Sequence, residues 1–99
     1  MAYNVVLSEK IERDVDDAAL WYEEQQPGLG SRFYTNVRKC IGELEKNAEF
    51  YSYLHKHYRR IKVKGFPFYI VYKIESHVVF ILAVLHQSRN PAELLKRLK

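Results

Sequence analysis

The stretch HYRRIKVKGFPFYIVYKIESHVVFILAVL, residues 57–85, decides the fold, because along it the spacing of apolar residues changes from helical to alternating. In 57–64, Arg59, Ile61 and Val63 point one way and Arg60, Lys62 and Lys64 the other, as on a strand. Gly65 interrupts the pattern, and 66–75 (FPFYIVYKIE) is rich in β-branched and aromatic residues. Glu75-Ser76-His77 reads as a tight reversal, and 78–85 is apolar on both faces, as in a strand covered on both sides. Consecutive strands with short links pair as an antiparallel meander.

Upstream the spacing is helical. Residues 3–7 (YNVVL) read as a short strand, and Ser8 follows as a helix cap, with Glu9 and Glu12 near the positive helix end. Ile11, Val15, Ala18, Ala19 and Tyr22 recur at helical spacing until Gln25-Gln26-Pro27-Gly28 stops the helix. A second helix carries Leu29, Phe33, Val37, Ile41 and Leu44 on one stripe, with Cys40 beside it. So short a turn predicts an antiparallel helical hairpin. Residues 47–54 read as a loop with Phe50, Tyr51 and Tyr53. At the end, Asn90-Pro91-Ala92-Glu93 begins a short C-terminal helix, with Leu94, Leu95 and Leu98 as its apolar face and Lys96, Arg97 and Lys99 at its negative end. The predicted class is α+β. An N-terminal strand and a three-stranded antiparallel meander form the sheet, the helical hairpin packs on one face, and a short helix ends the chain.

Ninety-nine residues suit one domain, 1–99. Hydrophobic residues at 47% and charged residues at 28% are ordinary for a globular chain, so a disordered or collagen-like class is excluded. One cysteine leaves no internal disulfide and no four-cysteine zinc site. The first residues lack an apolar signal core and no apolar run approaches a membrane span, so the cytoplasm is the expected compartment, without membrane association. No nucleotide, zinc-protease or serine-hydrolase motif occurs, and no cofactor or metal is expected. His55 and His57 read as surface histidines, since no carboxylates cluster with them. Cys40 reads as a small core hydrophobe. Trp21, beside the apolar stripe of the first helix, reads as partly core, with a partner anchor as the alternative.

Charge is divided between the halves. Residues 1–50 hold six Lys+Arg against ten Asp+Glu, net −4; residues 51–99 hold ten against two, net +8. A basic half implies an anionic partner. Arg60, Lys62 and Lys64 form a comb about 6.6–6.8 Å apart, suited to successive phosphates or a run of carboxylates. Aromatic residues nearby, Tyr69 and Tyr72 among them, offer stacking surface. The candidate binding residues are Arg59, Arg60, Lys62, Lys64, Tyr69, Tyr72 and Arg89. The competing reading is a charged edge strand that blocks aggregation. His86 and Arg89 lie just past the last strand, and His86 is the best base candidate available.

Arg-Arg-Ile-x-Val-x-Gly-Phe-Pro-Phe-x-Ile-x-Tyr (59–72), Ile-Leu-Ala-Val-Leu-His (81–86) and Arg89-x-Pro91 together resemble the RelE/ParE superfamily, toxins of bacterial type II toxin–antitoxin modules. The wording is closer to the ParE-like, plasmid-stabilisation branch. The resemblance implies growth arrest through a target such as DNA gyrase and neutralisation by a co-encoded antitoxin with an acidic segment, in a hetero-oligomer. RelE-like members instead cleave mRNA on the ribosome without a metal, a reading that in this chain would use Lys64, His86 and Arg89, with Arg60 and Lys62 holding phosphates. Where such cleavers carry two arginines and a tyrosine, this chain has Lys64, Gln87 and Glu93. Where others carry a third-strand arginine and a closing His-Tyr pair, it has Tyr69, and His86 followed by Gln87. The first exchange loses the bidentate fork, the second the charge and the third the ring. A third implied reading is an inactive relative that keeps only antitoxin binding.

Overall fold

The computed structural model describes residues 2–90, 94 and 96. Helix α1 (Glu9–Gln25) follows strand β1 (Asn4–Val6) and is capped as its sequence requires: the Ser8 hydroxyl accepts the Ile11 N–H at 3.2 Å. Helix α2 (Leu29–Asn47) has no side-chain cap of its own. Its first N–H groups are taken by Glu23 of α1, whose carboxylate accepts from Gly28 at 2.9 Å and from Gly30 at 3.0 Å. Gly28 takes the left-handed conformation (φ 89°) that reverses the chain. At Gly30 the helices meet so closely that a Cβ would lie 2.5 Å from the Ala19 carbonyl oxygen. The hairpin is antiparallel, as its short link predicts.

A 3-10 turn (Ala48–Phe50) leads into the sheet strands β2 (Tyr53–His55), β3 (Tyr58–Lys62), β4 (Phe68–Glu75) and β5 (Val78–His86). The sheet order is β1-β5-β4-β3-β2. The meander is antiparallel throughout, and β1 joins β5 in parallel. Two differences from the sequence expectation stand out. Residues 47–54 are not all loop: Tyr53–His55 pair with the start of β3 as a fifth, edge strand. They lack apolar alternation because both their inner and outer residues are partly exposed. The meander strands are also shorter at β3 and β4, with Val63 to Pro67 forming the connection. Of the expected C-terminal helix, Leu94 and Lys96 are described and are helical; Pro91 and Glu93 lie outside the described residues.

One core lies between the hairpin and the sheet. Ile11, Val15, Ala19, Phe33, Val37 and Leu44 from the helices meet Ile61, Ile70, Tyr72, Val79 and Ile81 from the strands and Val63 just past β3. β5 carries an extra residue: Val71 pairs with Ala83 but Tyr72 with Ile81, leaving Leu82 unmatched. The bulge switches the core positions from Val79 and Ile81 to Val84, which is how an unbroken apolar run feeds both faces.

Tyr72 is fully buried, and its hydroxyl donates to the Ala48 carbonyl at 2.7 Å, tying the 3-10 turn to the sheet. Burial raises its pKa above the ordinary 10.0, with Arg59 opposing. A raised folded-state pKa stabilises the fold fully below the unfolded value, and that contribution is lost as pH rises past it. Stability is therefore expected to fall above pH 10.0. Tyr72→Phe should lose about 1 kcal/mol at neutral pH from the missing hydrogen bond. Urea denaturation should then show a shallower alkaline loss for the variant than for the parent chain.

Candidate functional site

The face of the sheet away from the hairpin is built by β3, β4 and the end of β5. Register explains its cations. Ile61 (6% exposed) and Val63 (0%) require the hairpin as cover, so Arg60, Lys62 and Lys64 turn outward and are exposed. Arg60 stacks on Tyr69 at 4.6 Å from the ring centre. Lys62 donates from Nζ to the Phe66 carbonyl at 2.8 Å, which holds it over the Gly65 turn. Lys64 has an exposed side chain, while its carbonyl accepts from Asn36 of α2 at 2.8 Å. The Lys62 carbonyl accepts from the Cys40 thiol at 3.5 Å. Past Arg60, whose N–H donates to the Ser52 carbonyl just before β2, α2 thus covers the sheet edge. Burial raises the Cys40 thiol pKa. That keeps it protonated, as a structural thiol should be.

The candidate residues divide into separate places. A shallow cleft on the outer face gathers Arg60, Tyr69, His86, Gln87 and Arg89 over Leu85. Lys64 instead lines the groove toward α2, with Arg60, Lys62 and Tyr69. Arg60 and Tyr69 belong to both and stand between Lys64 and the His86–Arg89 end. Arg59 faces the other way. Its guanidinium donates to the Glu49 carbonyl (2.9 Å), the Tyr51 carbonyl (2.8 Å) and the Tyr53 hydroxyl (2.7 Å), and lies 4.0 Å from the centre of the Tyr53 ring. It clasps the 3-10 turn and β2, and the Tyr3 hydroxyl donates to the Glu49 side chain beside it. Tyr72 is sealed in the core, so neither Arg59 nor Tyr72 belongs to the outer surface expected of them. The alternation of β4 places Tyr72 with Ile70 inward and Tyr69 with Val71 outward.

His86 pairs with Phe68 across the sheet and meets its ring edge-on at 5.2 Å. Its Nδ1 accepts the Ser88 N–H at 3.1 Å and lies 2.8 Å from the Ser88 hydroxyl, which leaves Nε2 to carry the proton of the neutral ring. Among the described residues no three His, Cys, Asp or Glu side chains are placed to hold a metal ion. No helix among them is long and apolar enough to cross a membrane.

Trp21, expected to be partly core, is 56% exposed and packs edge-on to Tyr22 with 5.2 Å between ring centres, outside the set of residues packed on the core. Leu20, Phe50 and Tyr53 are also exposed. Phe50 and Tyr53 carry no periodic signal that would have marked them as surface residues.

A family model described as "ParE toxin of type II toxin-antitoxin system, parDE" matches residues 5–91. The protein named Toxin ParE2 of Mycobacterium tuberculosis, in two strains, is 28% identical over 82 residues, covering 82% of this chain and 78% of the relative. Among solved structures, one titled as a chromosomal ParDE toxin–antitoxin system from P. aeruginosa superposes with a TM-score of 0.74 at 13% identity, over 86% of this chain and 96% of that one. A mutant of the E. coli toxin RelE in the free state superposes with a TM-score of 0.64 at 16% identity over 100% of both chains. These two likenesses are of fold.

Proposed function

This chain belongs to the ParE toxin family of type II toxin–antitoxin systems, and on that premise we propose that it arrests bacterial growth by binding a target such as DNA gyrase. A co-encoded antitoxin relieves the arrest by laying an acidic segment over the outer sheet face. The observation that carries the binding reading is the separation of Lys64 from His86 and Arg89 by the Arg60–Tyr69 stack. A cation and a proton-transfer group must converge within hydrogen-bond reach of one phosphate to cleave it. Arg60 and Arg89 share the shallow cleft with His86, whereas Lys62 and Lys64 line the groove beyond the Arg60–Tyr69 stack, so the cations as a set run in a row suited to an extended anionic partner. The His86 ring packs on Phe68, with Nδ1 engaged by Ser88.

Induction of the chain in bacteria tests this. Arrest should come with DNA damage and trapped gyrase–DNA complexes, while a purified translation system keeps working. Co-expression of the small neighbouring gene product should restore growth through a complex of nanomolar affinity. An interface of about 1,600 Å² in total can supply that affinity. Halted translation with mRNA cut at ribosomal A-site codons would replace the gyrase reading with RelE-like ribonuclease activity. Normal growth would leave an antitoxin-binding relative without a toxic target.

A further inference from the structure

A second surface, opposite in sign to the cationic row, lies along α1. Ala18, Trp21, Tyr22, Pro67, Phe68 and His86 line an almost wholly apolar cleft of about 500 Å³. Trp21 forms one wall while remaining 56% exposed, and Leu20 beside it is 60% exposed. Helical spacing places Asp17 one turn before Trp21 and Glu24 three residues after it. Both carboxylates are exposed, and neither has an ion-pair partner among the described residues. Over its length α1 has seven acidic and two basic residues.

We propose that this cleft docks a basic segment of a partner protein carrying one aromatic or large aliphatic side chain. The anchor enters between Trp21 and Phe68, and flanking lysines or arginines reach Asp17 and Glu24 on the Trp21 side. Two properties favour a basic protein segment. A large exposed aromatic beside a concave apolar wall is the pattern of an interface anchor. The carboxylates repel nucleic acid and acidic peptides while steering a basic segment in. The proposal stands apart from the arrest reading, because an acidic antitoxin segment matches the cationic row and is mismatched here.

Trp21 is the chain's single tryptophan, so its fluorescence reports on the cleft directly. The probe is a short synthetic peptide with one phenylalanine flanked on both sides by lysines. Controls replace the lysines with glutamates or the phenylalanine with serine. The lysine peptide should produce a saturable shift in Trp21 emission at about 0.1 M salt that is lost at about 1 M, where the Debye length falls to roughly 3 Å. The Asp17→Asn/Glu24→Gln variant keeps the reporter and should bind about fivefold more weakly. The chain's net charge is +4, so charge alone would favour the glutamate peptide. Equal or stronger binding of that peptide overturns the proposal, as does the absence of any shift at millimolar lysine peptide. An emission shift that tracks protein concentration without peptide, with a matching mass increase by sedimentation, assigns the cleft to a second copy and also overturns it.

Discussion

Replacing Phe33 by alanine is expected to destabilise the fold by about 3–5 kcal/mol, the range for an aromatic removed from a packed core. Phe33 is wholly buried, and its ring is the meeting point of both layers. It lies 5.1 Å from Phe66 and from Phe68 on the sheet side and 5.3 Å from Tyr22 of α1, centre to centre. Edge-on aromatic contacts add to the area term. The surrounding rings come from three different elements and cannot all close over the vacancy. A domain of this size is stable by about 5–15 kcal/mol, so the loss takes a large fraction of the total. Urea denaturation of Phe33→Ala beside Phe33→Leu measures it. Leucine should recover about half the loss by refilling part of the volume. A cost below about 1 kcal/mol for the alanine variant would contradict this account of the core.

The triple variant Arg60→Ser/Lys62→Ser/Lys64→Ser should separate stability from binding. The stability terms are small: the Arg60 stack on Tyr69 at an exposed site is worth about 0.5–1 kcal/mol. The Lys62 bond to the Phe66 carbonyl adds a similar amount. A total near 1–2 kcal/mol lowers the melting temperature by roughly 4–16 °C in a chain of this length. Binding should suffer far more. If the antitoxin presents carboxylates to this row, losing three charge-assisted contacts weakens the complex by at least about 100-fold. Growth arrest should disappear as well. Calorimetric melting, titration with the antitoxin and a growth assay give the three readouts. A folded variant that still arrests growth would move the toxic surface elsewhere, to the Trp21 cleft or the C-terminal residues.

Much of this was legible in the sequence, because it depends on periodicity. Apolar residues three and four apart delimit α1 and α2, and Ser8 marks a cap that forms where expected. The alternation in 57–64 assigns Ile61 and Val63 inward and the three cations outward, since a slip by one residue would bury charge and expose aliphatics. The family resemblance was likewise carried by local wording, in the GFPFYIVY strand and the AVLH ending.

Contacts between residues far apart in the chain decided the rest. Arg59 and Arg60 are neighbours of identical chemistry, yet one clasps the segment from the 3-10 turn to β2 through three hydrogen bonds while the other stacks outward on Tyr69. Strand alternation separates them, but only the fold places carbonyl acceptors from residues 49 and 51 beneath Arg59. Tyr72 belongs to the core because the Ala48 carbonyl meets its hydroxyl there, and a tyrosine without that partner would favour water. The β5 bulge appears only when paired with β4, since an unbroken apolar run shows no phase shift of its own. Trp21 lies at the margin of the α1 stripe. Whether such a residue is covered depends on how far the sheet extends beneath it, and the sheet leaves it over half exposed beside a cleft. Sequence spacing thus determined which face each residue takes, and tertiary packing determined what, if anything, meets it there.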